Sequence, residues 1–222
     1  MSTAASRQPE FVRSSNFFEK MIRHWAFWTL FISFGFSYPI YRSLNRTLPP
    51  ELPIIAHVPA FTLTNENNQP FGSNELKGKV YLANFVFSRC PTTCPGMLKE
   101  LQKIQKRLSG TKETTSIVTF TVDPENDTPA VLFKLARDYD ANPYAWSFLT
   151  SPNKDELLKL YRDGFKVAVE PSANLFEIAH TEKIVLVDGE NRVRGFYAFD
   201  ENSVNQLMID VGLLINRPST KE

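Results

Sequence analysis

The sequence contains two cysteines, Cys90 and Cys94, and they lie within five residues of each other in the segment SRCPTTCP. A pair this close acts together or not at all, and one pair does not make a disulfide scaffold. Thiolates are soft ligands that suit Cu(I), and they are also the nucleophiles of thiol–disulfide exchange. Three interpretations are therefore open: a metal site, a redox-active pair, or a plain structural disulfide.

The position of the pair favours reactive sulfurs. Val80–Phe87 is a nearly continuous apolar run, which predicts a strand buried on both faces, and the residues after Pro95 have helical spacing. The helix N-terminus carries a partial positive charge that favours thiolates. Three residues separate the cysteines, one more than in a thioredoxin-type exchange loop, so both sulfurs can be directed at one ion. A structural disulfide over so short a loop would stabilise the fold little.

His180 is the candidate third ligand. The other histidines, His24 and His57, lie outside the predicted α/β domain, and we interpret both as structural. A lone histidine is often an ordinary core or solvated residue. The ligand interpretation therefore depends on the fact that the predicted domain contains no other histidine. A site with two sulfurs and one imidazole is open to metal transfer, and imidazole lets it accept Cu(II) as well as Cu(I). Zinc could use the same three ligands.

Asp123 follows the predicted strand Ser116–Val122 at the same edge of the sheet. Its ordinary interpretation is a turn former or helix cap. Its functional interpretation is a carboxylate that supports the metal site from outside the direct ligands. Asp127 or Thr128 is the predicted N-cap of the helix Thr128–Tyr139.

The remaining pattern alternates strands with helices and finishes with a hairpin and a helix, which predicts an α/β sheet covered by helices. The other predicted elements are two short strands around a turn at Asn65–Asn68, strands Trp146–Leu149, Lys183–Val187 and Arg192–Phe199, and helices Ser151–Gly164 and Ser203–Leu214.

The segment between Arg23 and Arg42 has no charged residue, and eighteen helical residues span about 27 Å. It predicts a transmembrane helix at 24–42, rather than a cleaved signal peptide or an interfacial helix. More basic residues precede the helix than follow it, which places the N-terminus inside. The predicted organisation is a cytoplasmic arm (1–23), the transmembrane helix (24–42), a Pro-rich tether (43–60) and the α/β domain (61–222).

Composition and the N-terminal segment indicate the class of protein and its location in the cell. The chain has 222 residues, 42% of them hydrophobic, which suits one domain with an appendage. A net charge of +1 gives no field that would recruit nucleic acid. No long Arg- and Ser-rich transit peptide precedes the predicted helix. We therefore expect a single-pass protein of the bacterial inner membrane, with its domain in the periplasm, rather than a mitochondrial one.

Several segments, in order, resemble the Sco (SenC) family over residues 55–215. They are LKGKVYLANFVFSRCPTTCPGM, FTVDPENDTPAVLFKLARDY, WSFLT and IAHTEKIVLVDGENRVRGFY. The CxxxCP loop, the VDPExDTP segment and the histidine before a strand form a specific set.

The resemblance implies a thioredoxin-like fold with an extra hairpin before the histidine. It implies one copper ion, as Cu(I) or Cu(II), bound through Cys90, Cys94 and His180. It also implies a role in assembling the CuA centre of cytochrome c oxidase, with subunit II as partner and a periplasmic copper donor as a further expected partner. Thr92 and Thr93 are neutral where some relatives carry an acidic residue.

Two uses of the sulfurs stay open under this resemblance. We expect a copper chaperone without turnover, and the alternative is a thiol–disulfide oxidoreductase that reduces the cysteines of the CuA site or of another exported protein. A peroxidase on the same fold would draw on Arg89 and Thr92. The paired cysteines and the distal histidine argue against it.

Overall fold

The computed structural model describes residues 24–45, 51–167 and 183–216, together with Phe17 and Lys20. The chain forms two compact units, Met1–Pro50 and Glu51–Glu222. The first contains helix α1, Trp25–Leu44, and the second contains the sheet and the cysteines. His180 and the predicted hairpin before it lie outside the described residues.

Helix α1 is present where the sequence predicts one, with Pro39 tolerated near its end, and none of its residues is buried. Of the helices that the structure describes, none combines the length and the apolar character needed to cross a membrane. The transmembrane interpretation of residues 24–42 stays a prediction.

The second unit is built on one eight-stranded sheet with the order β1-β8-β7-β4-β5-β6-β2-β3. Strands β4, β5 and β6 are parallel, and the other pairings are antiparallel. The strands are β1 Ala56–His57, β2 Thr62–Asn65, β3 Pro70–Gly72, β4 Val80–Val86, β5 Thr115–Thr121, β6 Trp146–Thr150, β7 Lys183–Val187 and β8 Arg192–Ala198. The helices are α2 Ser73–Leu76, α3 Thr93–Arg107, α4 Pro129–Asp138, α5 Lys154–Lys159 with a π-helical turn at Leu160–Gly164, and α6 Glu201–Asn216. This arrangement confirms the predicted α/β sheet covered by helices.

Strands β4 and β5 are buried along their whole length, as the apolar run at Val80–Phe87 predicts. They pair in parallel register, with Val86 opposite Thr121 at their last residues. The segments that follow them therefore leave the same edge of the sheet. We call residues 87–92 the cysteine loop and residues 122–128 the acidic loop.

An aromatic cluster packs beneath this edge. Phe85 and Phe120 are the residues before the last in β4 and β5, and their rings stack with centroids 5.6 Å apart. Tyr161 of the π-helical turn meets Phe85 edge-on at 4.8 Å, and Phe165 lies 5.1 Å from Phe120. All four side chains are fully buried, so the strand ends that carry both loops rest on a rigid base.

The predicted tether at 43–60 is wrong in its second half. Ala56–His57 form edge strand β1, which pairs with Val193 and Arg192 of β8, and the backbone N–H of Ile55 donates to the Val193 carbonyl. Prolines are tolerated beside an edge strand, so their presence did not exclude pairing. The helix predicted at Ser151–Gly164 is shorter, because Asn153 caps it through the Glu156 N–H.

Candidate metal and thiol centre

The two cysteine sulfurs lie in different elements. Cys94 lies in the first turn of α3, whereas Cys90 precedes the helix and donates its backbone N–H to the Phe87 carbonyl at 3.2 Å. Thr92, the N-cap residue, makes no side-chain capping bond. The Cys94 N–H instead donates to the Cys90 sulfur at 3.4 Å. The sulfur of Cys90 thus caps the N-terminus of α3.

Both cysteines are buried, with exposed fractions of 8% for Cys90 and 2% for Cys94, and both are free thiols. The structural disulfide, one of the three interpretations of the pair, is therefore not formed in this structure. The hydroxyl of Thr93 lies 3.7 Å from the Cys90 sulfur and adds a second polar contact. Free sulfurs at the start of a helix are available both for metal binding and for exchange chemistry.

The two thiols have opposite pKa shifts. Burial raises the pKa of Cys90, but hydrogen bonds from the Cys94 side chain and backbone, the Thr92 backbone and the Thr93 side chain outweigh it and lower the pKa to about 7. Burial and the neighbouring Cys90 sulfur raise the pKa of Cys94 to about 12, against weaker hydrogen bonds from Phe87 and Thr93. At neutral pH Cys90 is therefore partly ionised, whereas Cys94 keeps its proton.

Asp123 lies at the start of the acidic loop and is nearly fully buried. Its carboxylate accepts hydrogen bonds from the Arg89 guanidinium, at 2.7 Å from Nη2 and 3.2 Å from Nε, and from the Asn126 amide at 2.9 Å. Its carbonyl also accepts the N–H of Asp127, at 2.8 Å. Asp123 thus shapes a turn, as predicted, and holds the residue that precedes Cys90, whereas its support of a metal site stays a prediction.

Asp127 is the functional candidate that the sequence analysis missed. It is fully buried, and its carboxylate accepts hydrogen bonds from the Ser88 N–H at 3.1 Å, the Ser88 hydroxyl and the Thr121 hydroxyl. Thr128 is the N-cap of α4 and accepts the Val131 N–H. The available signal was Pro129 at the first helical position, which makes Thr128 the cap and leaves Asp127 without a local role.

The third predicted ligand, His180, falls outside the described residues. Within 24–45, 51–167 and 183–216 no three His, Cys, Asp or Glu side chains gather into a metal-binding group. His57 is exposed on edge strand β1, three strands from β4, and His24 is exposed before α1. The described part of the centre thus consists of two soft donors, which fit Cu(I) better than a hard cation.

The comparison with known protein families decides the identity. Residues 53–212, which include the cysteine loop, the acidic loop and His180, match the family described as SCO1/SenC. The chain belongs to the SCO1/SenC family. The family resemblance of the sequence is thereby confirmed, and the mixed α/β sheet flanked by helices fits the expected thioredoxin-like fold.

Individual relatives of this SCO1/SenC chain agree. The SCO1 protein homolog of Bacillus subtilis (strain 168) is 32% identical over 151 residues, covering 68% of this chain and 78% of the relative. BsSco, a member of the Sco family of cytochrome c oxidase assembly proteins with a disulfide switch, is 29% identical with a TM-score of 0.66, covering 76% of this chain and 100% of BsSco. Copper-bound yeast Sco1 is 23% identical with a TM-score of 0.58, over 79% of this chain and 100% of that structure, and this likeness shows the fold alone.

Proposed function

We propose that this SCO1/SenC protein carries one copper ion on Cys90, Cys94 and His180 and assists assembly of the CuA centre in subunit II of cytochrome c oxidase. The observation that carries the proposal is the free, buried thiol pair at the start of α3. The family match supports it, as does BsSco, which is described as a member of a family of cytochrome c oxidase assembly proteins.

The unequal thiols suit a cargo that is first captured and later released. Cys90, with its pKa near 7, is partly ionised at neutral pH, and the Cys94 N–H already orients that sulfur. Cys94 holds its proton until a metal displaces it, so binding releases a proton and strengthens as pH rises. With His180 the site would have three donors, which leaves room for a ligand from the copper donor or from the target site.

The test is copper loading of the full chain with a histidine control. Reconstitution with Cu(I) and Cu(II) should give one ion per chain, and the Cu(II) form should show sulfur-to-copper charge-transfer absorption. His180→Ala should weaken Cu(II) binding strongly and leave both thiols reactive, whereas His57→Ala, on an exposed edge strand, should change neither. An unchanged Cu(II) affinity and spectrum in His180→Ala would reject the three-donor site, and a colourless zinc protein would reject copper as the cargo.

A second function, thiol–disulfide exchange, is favoured by the pKa difference between the sulfurs. The Cys90 thiolate would attack a target disulfide and release one target thiolate. Cys94 would then lose its proton and attack the Cys90 sulfur, leaving a Cys90–Cys94 disulfide and a reduced target. His180 has no part in these steps. Reduction of an oxidised subunit II domain should therefore survive His180→Ala if exchange is the function, and copper transfer should not.

We also propose that α1 holds the domain at the outer face of a bacterial inner membrane, where a periplasmic copper donor would load it. The support is the run of exposed aromatic and aliphatic side chains along α1 and the basic residues that precede it. Alkaline phosphatase fused after Glu222 should be active, and the chain should stay in the membrane fraction after carbonate extraction. An inactive fusion would contradict the periplasmic location, and release by carbonate would contradict anchoring.

A further inference from the structure

Asp127 is a fully buried carboxylate that the proposed function does not use. It makes no capping bond to α4, because Thr128 has that role. Its described partners are the Ser88 backbone and hydroxyl and the Thr121 hydroxyl. Burial of a carboxylate is costly unless hydrogen bonds compensate for the lost water, so these contacts mark a built feature of the fold.

The contacts of Asp127 reach the cysteine loop at one residue. Ser88 is held through both its N–H and its hydroxyl, so its backbone position and its side-chain rotamer are both restricted. It lies two residues before Cys90, whose own N–H bonds to the Phe87 carbonyl. These hydrogen bonds thus restrict the backbone conformation of the residues that lead from β4 into α3.

Thr121, the second partner of Asp127, is also held in place by hydrogen bonds. Thr121 is the last residue of β5, and its hydroxyl also accepts the Asp123 N–H at 3.0 Å. Its carbonyl accepts the hydroxyl of Tyr161 at 2.6 Å, and Tyr161 is fully buried in the aromatic cluster. Asp127 therefore joins the cysteine loop, through Thr121, to the buried aromatic cluster. Asp123 instead holds the loop through Arg89, whose side chain is 59% exposed.

We infer that Asp127 is a positioning residue for the cysteine pair: by holding Ser88, it sets the Cys90 sulfur in place before copper arrives. The inference rests on the proposed function for its copper readout. It assigns to Asp127 an effect on affinity that a carboxylate of merely structural importance would lack. Contacts that orient metal ligands from outside the coordination sphere typically change affinity by about ten- to hundredfold.

Asp210 offers a matched control. It is also a buried carboxylate, and its described hydrogen bonds come from the Tyr197 hydroxyl at 2.7 Å and the Gln206 amide at 3.0 Å, both outside the cysteine loop. Asp127→Ala and Asp210→Ala each remove one buried acceptor. Comparing them separates a loss of positioning from a general loss of stability.

The experiment measures Cu(I) affinity by chelator competition in the full chain, under conditions where urea titration shows every variant to be folded. Asp127→Ala should bind Cu(I) about ten- to hundredfold more weakly, and Asp210→Ala should stay within about twofold of wild type. Asp127→Asn keeps an acceptor oxygen for the Ser88 N–H, and its amide can donate to the Ser88 hydroxyl, so this variant retains both contacts and should recover most of the affinity. Wild-type affinity in folded Asp127→Ala, or an equal loss in Asp210→Ala, would overturn the inference.

A copper-free readout separates this inference from the proposed function. The dithiol–disulfide equilibrium of Cys90–Cys94 against glutathione should shift about threefold or more toward the disulfide in Asp127→Ala, because a loosened loop supports the reduced thiolate less well. If wild type binds no copper, the proposed function fails, and this shift alone supports or overturns the role of Asp127. If Asp127→Ala does not fold, Ser88→Ala replaces it, and an unchanged affinity and equilibrium in that variant would overturn the inference.

Discussion

Two turns of this domain are each organised by buried aspartates, and they differ in what those aspartates hold. Asp188 begins the β7–β8 turn and accepts the N–H groups of Glu190 and Arg192 and the guanidinium groups of Arg192 and Arg194. In the acidic loop, Asp123 and Asp127 reach Arg89 and Ser88, which lie 34 and 39 positions earlier in the chain. The first turn stabilises its own hairpin, and the second holds another loop.

The energetics of the two turns also differ. Asp188 and Arg194 are both buried, so each charge depends on the other for compensation. The acidic loop relies on one half-exposed ion pair and on neutral donors around Asp127. Similar residues thus serve the integrity of the fold in one place and the placement of two sulfurs in the other. The partners across the contact, rather than the burial of the aspartate, distinguish the roles.

Asp188→Ala should have the largest effect on stability. It leaves Arg194 as an uncompensated buried charge, and we expect a loss of about 3–5 kcal/mol in the free energy of unfolding. Urea denaturation measures this loss, and Cu(I) competition on the remaining folded fraction should give wild-type affinity. A folded Asp188→Ala protein with weakened copper binding would erase the contrast between the two turns.

Cys94→Ser should have the opposite effects to Asp188→Ala: a large loss of copper affinity and a small change in stability. Removing one of two soft donors should weaken Cu(I) binding by more than about 100-fold, beyond the range expected for outer contacts. Serine is close in size, and Cys94 makes no disulfide, so the urea midpoint should change little. Cys90→Ser provides the partner measurement. Full Cu(I) affinity in either variant would show that the sulfurs do not share one site.

The pH dependence should then separate the two sulfurs. Alkylation of reduced protein, followed by peptide mass mapping, should show Cys90 half-maximally reactive near pH 7 and Cys94 unreactive at that pH. Equal reactivity of the two thiols at pH 7 would contradict the shifts.

The same shifts determine how stability changes with pH. Between pH 7 and 9 the unfolded Cys90 thiol binds a proton that the folded one has lost, so stability rises with pH. Between pH 9 and 12 the folded Cys94 keeps a proton that the unfolded thiol loses, so stability falls. Urea titrations of reduced wild type and of the Cys90→Ser and Cys94→Ser variants measure both limbs. If both single variants showed the same dependence of stability on pH as wild type, the assignment of the rise to Cys90 and of the fall to Cys94 would be contradicted.

Arg89→Gln should have the smallest effect on the free energy of unfolding. The ion pair with Asp123 has one partner exposed to water, and Asn126 continues to hold the carboxylate, so the loss should be about 1 kcal/mol or less. Lys154→Gln, which removes an exposed ion pair with Glu125, is the matched control and should change stability even less. A loss in Arg89→Gln as large as in Asp188→Ala would place the main support of the cysteine loop at Asp123 rather than Asp127.

Much of the fold was predictable because its signals are local. The apolar run at β4 identified a central strand, the two strands predicted from Lys183 to Phe199 identified the β7–β8 hairpin, and β7 has the predicted bounds. Edge strand β1 was missed because two residues carry no periodicity of their own and are ordered by β8, far along the chain.

The sequence by itself determined the chemistry available to this protein: two cysteines, with three residues between them, where a buried strand leads into a helix. Tertiary structure decided how the two differ, because burial and the Cys94 N–H act on each sulfur in three dimensions and give opposite pKa shifts. It also decided the role of Asp127, whose partner Ser88 is remote in sequence and adjacent only when β4 and β5 pair in parallel. Local propensity shows which residues a loop contains, and only packing shows what holds the loop in place.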